Sequence, residues 1–191
     1  MWLLDVDGVI NVSRPGWGAA PRSGYASSAG QEYRMRWAPA LIDRIHTLHH
    51  AGTVEIRWCS TWCPDADQVE QLLALPRLER AWSDHLTNTA ATAAKLAAAR
   101  QVLTQGRRLI WTNDVEVPTC GVVHDEKSGR ALLIAPSPRR GLQPDHMDAI
   151  EAFISASATE NVSATADDTS ADDMAAPRYR GYERSATEQA R

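Results

Sequence analysis

Two aspartates, Asp5 and Asp7, are the residues of this sequence whose type and spacing most clearly suit a catalytic site. They follow a short apolar run, residues 2–4, which is typical of a buried β-strand. Side chains two residues apart on a strand point to the same side, so the two carboxylates can converge on one reacting centre. Because neighbouring carboxylates repel each other, such a pair usually requires a cation or a shared proton.

Gly8, directly after this pair, allows two interpretations of the motif. A glycine permits a sharp exit from the strand, through which the backbone can approach a ligand closely. The same Asp-Gly sequence also forms the tight turn of many ordinary β-hairpins. Taken alone, the motif favours neither interpretation clearly.

Polar side chains recur at three later places along the chain. They follow the predicted strands 54–59 and 109–112, or lie on an Ala-rich predicted helix. In an open α/β sheet, groups beyond the carboxyl ends of the strands gather in one crevice. The helix carries one of only two lysines in a chain with eighteen arginines, although a solvated helix lysine is the alternative. The side chains concerned are Ser60 and Thr61, Lys95, and Asn113 and Asp114.

This order of acid pair, hydroxyl, lysine and acid resembles the four motifs of the haloacid dehalogenase (HAD) superfamily of phosphotransferases and phosphatases. The resemblance covers roughly residues 1–154, and its first motif is highly specific. It implies an α/β fold, a three-layer α/β/α Rossmannoid domain with a parallel sheet of about five strands. A small β-hairpin flap at about residues 11–37 and no large cap are also expected, within a hydrolase domain of residues 1–156.

The resemblance implies a catalytic role for each motif. Asp5 would be the nucleophile that forms an aspartyl-phosphate, a known form of covalent catalysis. Asp7 would act as general acid toward the leaving oxygen and then as general base toward water. Ser60, or Thr61 as the close alternative, would hold a phosphoryl oxygen. Lys95 would stabilise the phosphoryl group and the Asp5 carboxylate as a positive point charge.

Mg²⁺ is the cofactor that the resemblance implies. It would be bound by the carboxylate of Asp5, the backbone carbonyl of Asp7 and a group from Asn113 or Asp114, all of them the hard oxygen ligands that this ion prefers. Related proteins often carry two aspartates where this chain has Asn113 and Asp114. An amide oxygen brings no charge, so we expect a weaker affinity unless Asp114 or Glu116 compensates.

The expected function is that of a Mg²⁺-dependent phosphatase for a large or exposed phosphorylated substrate, because a site without a cap admits large molecules. Gly8, Thr61, Arg34 and Arg36 are the candidate substrate-binding residues, the arginines through contacts with phosphate. Two alternatives remain open. One is a binding module of the same fold that is catalytically weakened at Asn113, and the other is a phosphatase that processes nucleic-acid ends.

The composition sets broader limits on these expectations. With 191 residues, 43% of them hydrophobic, the chain has the size of one compact domain with a tail. Its net charge of −4 provides no general attraction to nucleic acid, and no apolar run reaches the length of a membrane span. No room for a secretory signal precedes Asp5, so a cytoplasmic location is expected. Residues 157–191 lose apolar periodicity and are predicted to form a disordered tail.

The remaining elements follow from the spacing of apolar residues. Helices are predicted at 39–50, about 64–75, 89–103 and 144–154, the last with Pro144 at its first position. Further strands are predicted around 78–82 and at 131–135, and residues 32–37 alternate as the returning strand of the hairpin would. Strands that alternate with helices indicate a parallel sheet covered by helices.

Overall fold

The computed structural model of the protein describes residues 1–117 and 127–167. The chain divides after Ala156, and the first unit, Met1–Ala156, contains the sheet and the candidate site. The strands are β1 (Trp2–Leu4), β2 (Arg22–Ser28), β3 (Gln31–Trp37), β4 (Ile56–Trp58), β5 (Glu79–Arg80), β6 (Leu109–Thr112) and β7 (Ala131–Ile134). The helices are α1 (Pro39–His50), α2 (Ala66–Leu73), α3 (Asn88–Thr104) and α4 (Pro144–Asp167), and a 3₁₀ turn at Cys63–Asp65 precedes α2.

Five strands form one parallel sheet in the order β5-β4-β1-β6-β7. The central strand β1 pairs with both neighbours, so that Trp2 lies opposite Ile56 on one side and Ile110 on the other. The chain leaves β1 toward β4 but leaves β6 toward β7, which places a switch point between the carboxyl ends of β1 and β6. Ligands of open α/β sheets bind at such points. The predicted α/β fold with a parallel sheet of five strands is confirmed.

Helices cover both faces of the sheet because the buried strands alternate their apolar side chains between two cores. Trp2 and Leu4 face a core built with α1, α2 and α4, whereas Leu3, between them, faces a second core built with α3. The members of the first core on those helices include Leu41, Ile45, Val69, Leu73, Met147 and Ile150. The second core contains Ala99, Val102 and Leu103 of α3 together with Leu109 and Trp111 of β6.

The segment between β1 and α1 contains an antiparallel hairpin of β2 and β3 in the region where the sequence predicts a flap. One face of the hairpin is buried, with Ala26 and Met35 in the first core. Its tip is fixed to the start of α2, because Ser28 Oγ donates a hydrogen bond of 2.7 Å to Asp65 Oδ2. The opposite face, which carries Tyr25 and Arg34 as a cross-strand pair, is exposed.

Several element boundaries differ from those predicted. The strand predicted at 54–59 is shorter, Ile56–Trp58, and the weak strand around 78–82 is only Glu79–Arg80. The predicted end of the last helix at Ile154 is wrong, since α4 continues to Asp167. No glycine or proline interrupts that Ala-rich stretch, and extending an existing helix costs far less than starting one. The rest of the predicted tail, 168–191, lies outside the described residues.

Within residues 1–117 and 127–167, no helix is both long enough and apolar enough to cross a bilayer. The longest, α4, carries polar and acidic residues throughout its length.

A buried carboxylate on α2 fastens this helix to the sheet. Glu70 Oε1 accepts hydrogen bonds of 2.9 Å from the indole Nε1 of Trp58, on β4, and from the backbone N–H of Leu78, which precedes β5. All three groups are buried. Glu70 therefore satisfies two buried donors, one on β4 and the other directly before the neighbouring strand β5.

Replacing Glu70 with alanine should lower the free energy of unfolding by about 3 kcal/mol, because both donors lose their acceptor in a buried place. Glu70→Gln keeps an acceptor oxygen of the same reach and should cost less than about half of that amount. Urea denaturation of the three proteins measures the difference. Equal losses in both variants would show that the carboxylate side chain does not act through these hydrogen bonds.

Candidate active site

The polar residues singled out in the sequence follow the ends of three neighbouring parallel strands. Asp5 comes directly after β1, Ser60 is two residues after β4, and Asn113 comes directly after β6. Their side chains are almost completely buried, with 3% of Asp5 exposed. Lys95 reaches the same edge from α3, which covers one face of the sheet. The parallel topology therefore brings together groups that are up to 108 residues apart in the chain.

Asp5 is the centre of this cluster. Its Oδ2 accepts a hydrogen bond of 2.7 Å from Lys95 Nζ and another from the side-chain amide of Asn113. Its Oδ1 accepts from the backbone N–H of Val6 at 2.7 Å, and the Ser60 side chain lies near the carboxylate. Three donors thus fix the orientation of one carboxylate.

The charge state of this cluster follows from burial and from the lysine. Burial raises the pKa of the Asp5 carboxyl, and the charge and hydrogen bond of Lys95 offset this only in part. Burial also acts to lower the pKa of Lys95, but the charges of Asp5 and Glu116 outweigh it and the pKa is raised. Lys95 therefore favours the carboxylate form of Asp5, whereas burial favours the neutral form. Burial makes that carboxylate dependent on the lysine for its charge.

Lys95 is 7% exposed and binds two acids, Asp5 and Glu116, the second through Oε2 at 3.2 Å. Glu116 is held in turn by the Thr92 hydroxyl, which lies one turn earlier on α3 and donates to its Oε1 at 2.8 Å. Burial acts to raise the pKa of Glu116, yet the hydrogen bond from Thr92 and the charge of Lys95 lower it overall. The alternative of a solvated helix lysine is therefore wrong.

The contacts of Asn113 differ from those of a metal ligand. Its amide nitrogen donates to Asp5, and its Oδ1 accepts the backbone N–H groups of Val115, at 2.9 Å, and Glu116. Two backbone donors require an acceptor, so the oxygen of the amide must face them and the nitrogen must face Asp5. In this arrangement Asn113 is a neutral donor that holds Asp5, and its oxygen is already occupied.

Asp114 lies against Gly8, at the mouth of the crevice between β1 and β6. Gly8 has a positive φ of 72°, and a Cβ atom there would lie 2.1 Å from Asp114 Oδ2. Only glycine satisfies both the conformation and the close approach. Burial raises the pKa of Asp114, and the charges of Glu116 and Asp7 add to this effect. The crevice therefore brings several carboxyl groups close together.

Asp7 is exposed, unlike Asp5, yet both of its carboxylate oxygens are bound. Asn11 Nδ2 donates to Oδ1 at 2.7 Å, and the indole Nε1 of Trp62 donates to Oδ2 at 2.9 Å. Neither contact follows from a sequence pattern. Trp62 does stand two residues after Ser60, and this closeness to the hydroxyl motif is the one signal that could have pointed to it.

The other candidate substrate-binding residues do not all lie at the cluster around Asp5. Thr61 is exposed, whereas Ser60 is buried against Asp5, which favours Ser60 of the two hydroxyls as the group at the centre. Arg34 and Arg36 lie on the exposed face of the hairpin. In the described part of the chain, no hydrogen bond or ion pair joins their side chains to the cluster. The backbone N–H of Arg36, by contrast, donates to Asn11 Oδ1 at 2.9 Å.

A divalent cation would meet only oxygen ligands here. Among residues 1–117 and 127–167, no three His, Cys, Asp or Glu side chains are grouped to form a closed metal site. Mg²⁺ needs no such group, because it keeps several waters and takes one or two carboxylates. Asp5 and Asp114, with the backbone carbonyl of Asp7, suit that chemistry. The excess of acids over lysine at this edge favours a cation as well.

Comparison of the chain with protein-family models, with curated proteins and with solved structures gives no match. The chemistry of the site therefore rests on the contacts of its own residues. A lysine and an amide hold a buried carboxylate, Asp5. A second carboxylate, Asp7, lies two residues later and is exposed.

Removing the lysine should cost stability, because it leaves Asp5 buried without its counter-charge. We expect Lys95→Met to lower the free energy of unfolding by about 3 kcal/mol. Lys127→Met, which changes the exposed second lysine, is the matched control and should stay within about 0.5 kcal/mol of the original protein. Adding Asp5→Asn to Lys95→Met should recover part of the loss in urea denaturation. A Lys95 variant as stable as the control would contradict the ionic pair.

Proposed function

We propose that the protein is a Mg²⁺-dependent phosphatase of the HAD type that acts through an aspartyl-phosphate on Asp5. The observation that carries this proposal is the 2.7 Å contact between Lys95 Nζ and Asp5 Oδ2 at the switch point of a parallel sheet. A carboxylate can attack a phosphoryl group only where positive charge offsets the negative oxygens around phosphorus. Lys95 supplies such a charge next to the attacking group.

The reaction has two steps. In the first, a carboxylate oxygen of Asp5 forms a bond to phosphorus while the bond to the leaving oxygen breaks, and Asp7 gives that oxygen a proton. In the second, Asp7 takes a proton from water, the water oxygen bonds to phosphorus, and the bond to Asp5 breaks to release inorganic phosphate. Ser60, buried beside Asp5, would hold a phosphoryl oxygen.

Asp5, Asp114 and the backbone carbonyl of Asp7 would hold the Mg²⁺ ion. When bound, the ion neutralises the charge of the phosphoryl oxygens. Asn113 would not be a ligand in this arrangement but would keep Asp5 in place through its amide nitrogen. Of the two residues after β6, Asp114 and not Asn113 would then be the Mg²⁺ ligand.

The proposed substrate is large or presents an exposed phosphate. Asp7 is exposed although it lies at the centre of the proposed chemistry, and between β1 and α1 the described chain inserts only the hairpin and its connecting loops. The outer face of that hairpin presents Tyr25, 60% exposed, opposite Arg34. An aromatic ring beside a guanidinium suits a phosphorylated polymer, so this pair favours the alternative of nucleic-acid end processing.

Asn113 favours the other alternative, a binding module with the same fold. Its neutral amide stabilises Asp5 without any cation, so the site can persist without binding metal. Titration calorimetry with Mg²⁺, alone and with BeF₃⁻ as a phosphoryl analogue, separates the two functions. Heat of binding in the presence of both ligands supports the phosphatase, and its absence supports the module.

The phosphatase proposal predicts turnover of 4-nitrophenyl phosphate with Mg²⁺. Asp5→Asn should lower kcat by at least about 10³-fold, because an amide cannot act as the nucleophile. Asp43→Asn makes the same chemical change at an exposed position of α1 and should leave the rate unchanged. Release of nitrophenolate measures both. Equal rates for Asp5→Asn and the original protein would exclude the mechanism.

The neutral residue at position 113 yields a prediction on stability. In Asn113→Asp, one oxygen still accepts the backbone N–H groups, but the other faces Asp5 as a second carboxylate. Without Mg²⁺ we expect a loss of roughly 2 kcal/mol, and Mg²⁺ should restore much of it. Melting temperatures with Mg²⁺ and with EDTA test this, with Asn88→Asp at the exposed start of α3 as the control. A melting temperature of Asn113→Asp that is insensitive to Mg²⁺ would argue against a cation at this edge.

A further inference from the structure

Asp7 is exposed, but its carboxylate is held by one donor on each oxygen. The indole Nε1 of Trp62 donates to Oδ2 at 2.9 Å, and the amide Nδ2 of Asn11 donates to Oδ1 at 2.7 Å. We propose that Trp62 and Asn11 are positioning residues, which orient the Asp7 carboxylate for proton transfer to the leaving oxygen and from the attacking water. This inference rests on the proposed phosphatase function.

Both donors are themselves held in place. Trp62 is 4% exposed and belongs to the first core; its backbone N–H donates to Ser60 Oγ at 3.4 Å, and its carbonyl accepts from Asp65. Asn11 Oδ1 accepts the backbone N–H of Arg36 at 2.9 Å, so the amide cannot turn without losing that bond. Two immobile groups therefore hold a side chain that solvent alone would leave free to rotate.

The geometry leaves Asp7 able to exchange a proton. A carboxylate oxygen has two lone pairs, and each oxygen of Asp7 uses one of them for its donor. The remaining lone pairs stay available, in a plane that the two donors define. Proton transfer requires that the carboxylate lie within a hydrogen-bond distance of about 2.6–3.2 Å of the reacting oxygen. A carboxylate that rotates freely would satisfy this distance only for a small part of the time.

The same two donors connect Asp7 to the hairpin. The Tyr33 ring, on β3, meets the Trp62 ring edge to face at 5.6 Å between centroids. The Arg36 backbone, also on β3, holds Asn11. The hairpin therefore supports both residues that orient Asp7. Tyr33 is partly exposed and does not belong to either core. Its position on Trp62 gives it a role in holding the indole.

The test compares two substrates that need the acid to different extents. Phenyl phosphate has a poor leaving group that requires a proton, whereas 2,4-dinitrophenyl phosphate releases a stable anion. In Trp62→Phe, which keeps an aromatic ring and removes the N–H, kcat/KM for phenyl phosphate should fall about 10- to 100-fold. For dinitrophenyl phosphate it should stay within about threefold. Asn11→Ser should show the same selectivity and serves as an independent variant.

Trp82→Phe is the matched control, because within the described residues the indole nitrogen of Trp82 is buried without a hydrogen-bond partner. It should not change the ratio of the two rates. In an Asp7→Asn background, Trp62→Phe should cause no further loss with phenyl phosphate. Additive losses in the double variant, or equal losses on both substrates in Trp62→Phe, would overturn the positioning role while leaving the phosphatase intact.

A second readout does not depend on turnover. The indole N–H resonance of Trp62, assigned by its loss in Trp62→Phe, should shift in Asp7→Asn, whereas that of Trp82 should not. An unchanged Trp62 resonance would overturn the contact itself. If the original protein turns over neither substrate with Mg²⁺, the proposed function falls and the positioning role falls with it, even if the resonance shifts.

Discussion

The buried ion pair of Asp5 and Lys95 is the constraint on which the arrangement of the site depends. A carboxylate that is almost fully removed from water is stable only if charge and hydrogen bonds replace its hydration. The distant partners are Lys95 on α3 and Asn113 directly after β6, so two separate segments must meet beyond the end of β1. A shift of one residue in the pairing of β1 with β6 would turn the Asn113 donor away from Asp5.

The same constraint explains the local backbone around the pair. Gly8 follows Asp5 so closely that the chain must leave β1 in a left-handed conformation, and Asp114 occupies the space where a side chain would be. The two strand ends on either side of the switch point can thus approach each other. One consequence is a cluster of acids at this edge: Asp5, Asp114 and Glu116 all interact with Lys95, and Asp7 lies close to Asp114.

Much of this fold could be predicted from the sequence, because strand periodicity and the placement of polar groups after strands depend on local patterns. The parallel sheet, the hairpin strand β3 and the helix that carries Lys95 were predicted in this way. The contact between Trp62 and Asp7, across 55 residues, has no such pattern. Loss of apolar periodicity did not mark the end of α4, because the residues that follow Ile154 in this helix include no glycine or proline to end it. Asn113 was assigned as a ligand because its type suits Mg²⁺, whereas its position next to two backbone donors determines its orientation.

Asn113 reduces the repulsion among the acids at this edge of the sheet. A carboxylate at that position would face Asp5 directly, and the pair would then need a cation or a shared proton to be stable. The amide instead donates to Asp5 and also accepts from the backbone after β6, so Asp5 has a neutral partner at this position. The site is thereby divided into two parts. Lys95 and Asn113 hold Asp5 inside the protein, while Asp7 and Asp114 place two further carboxyl groups at the outer end of the crevice.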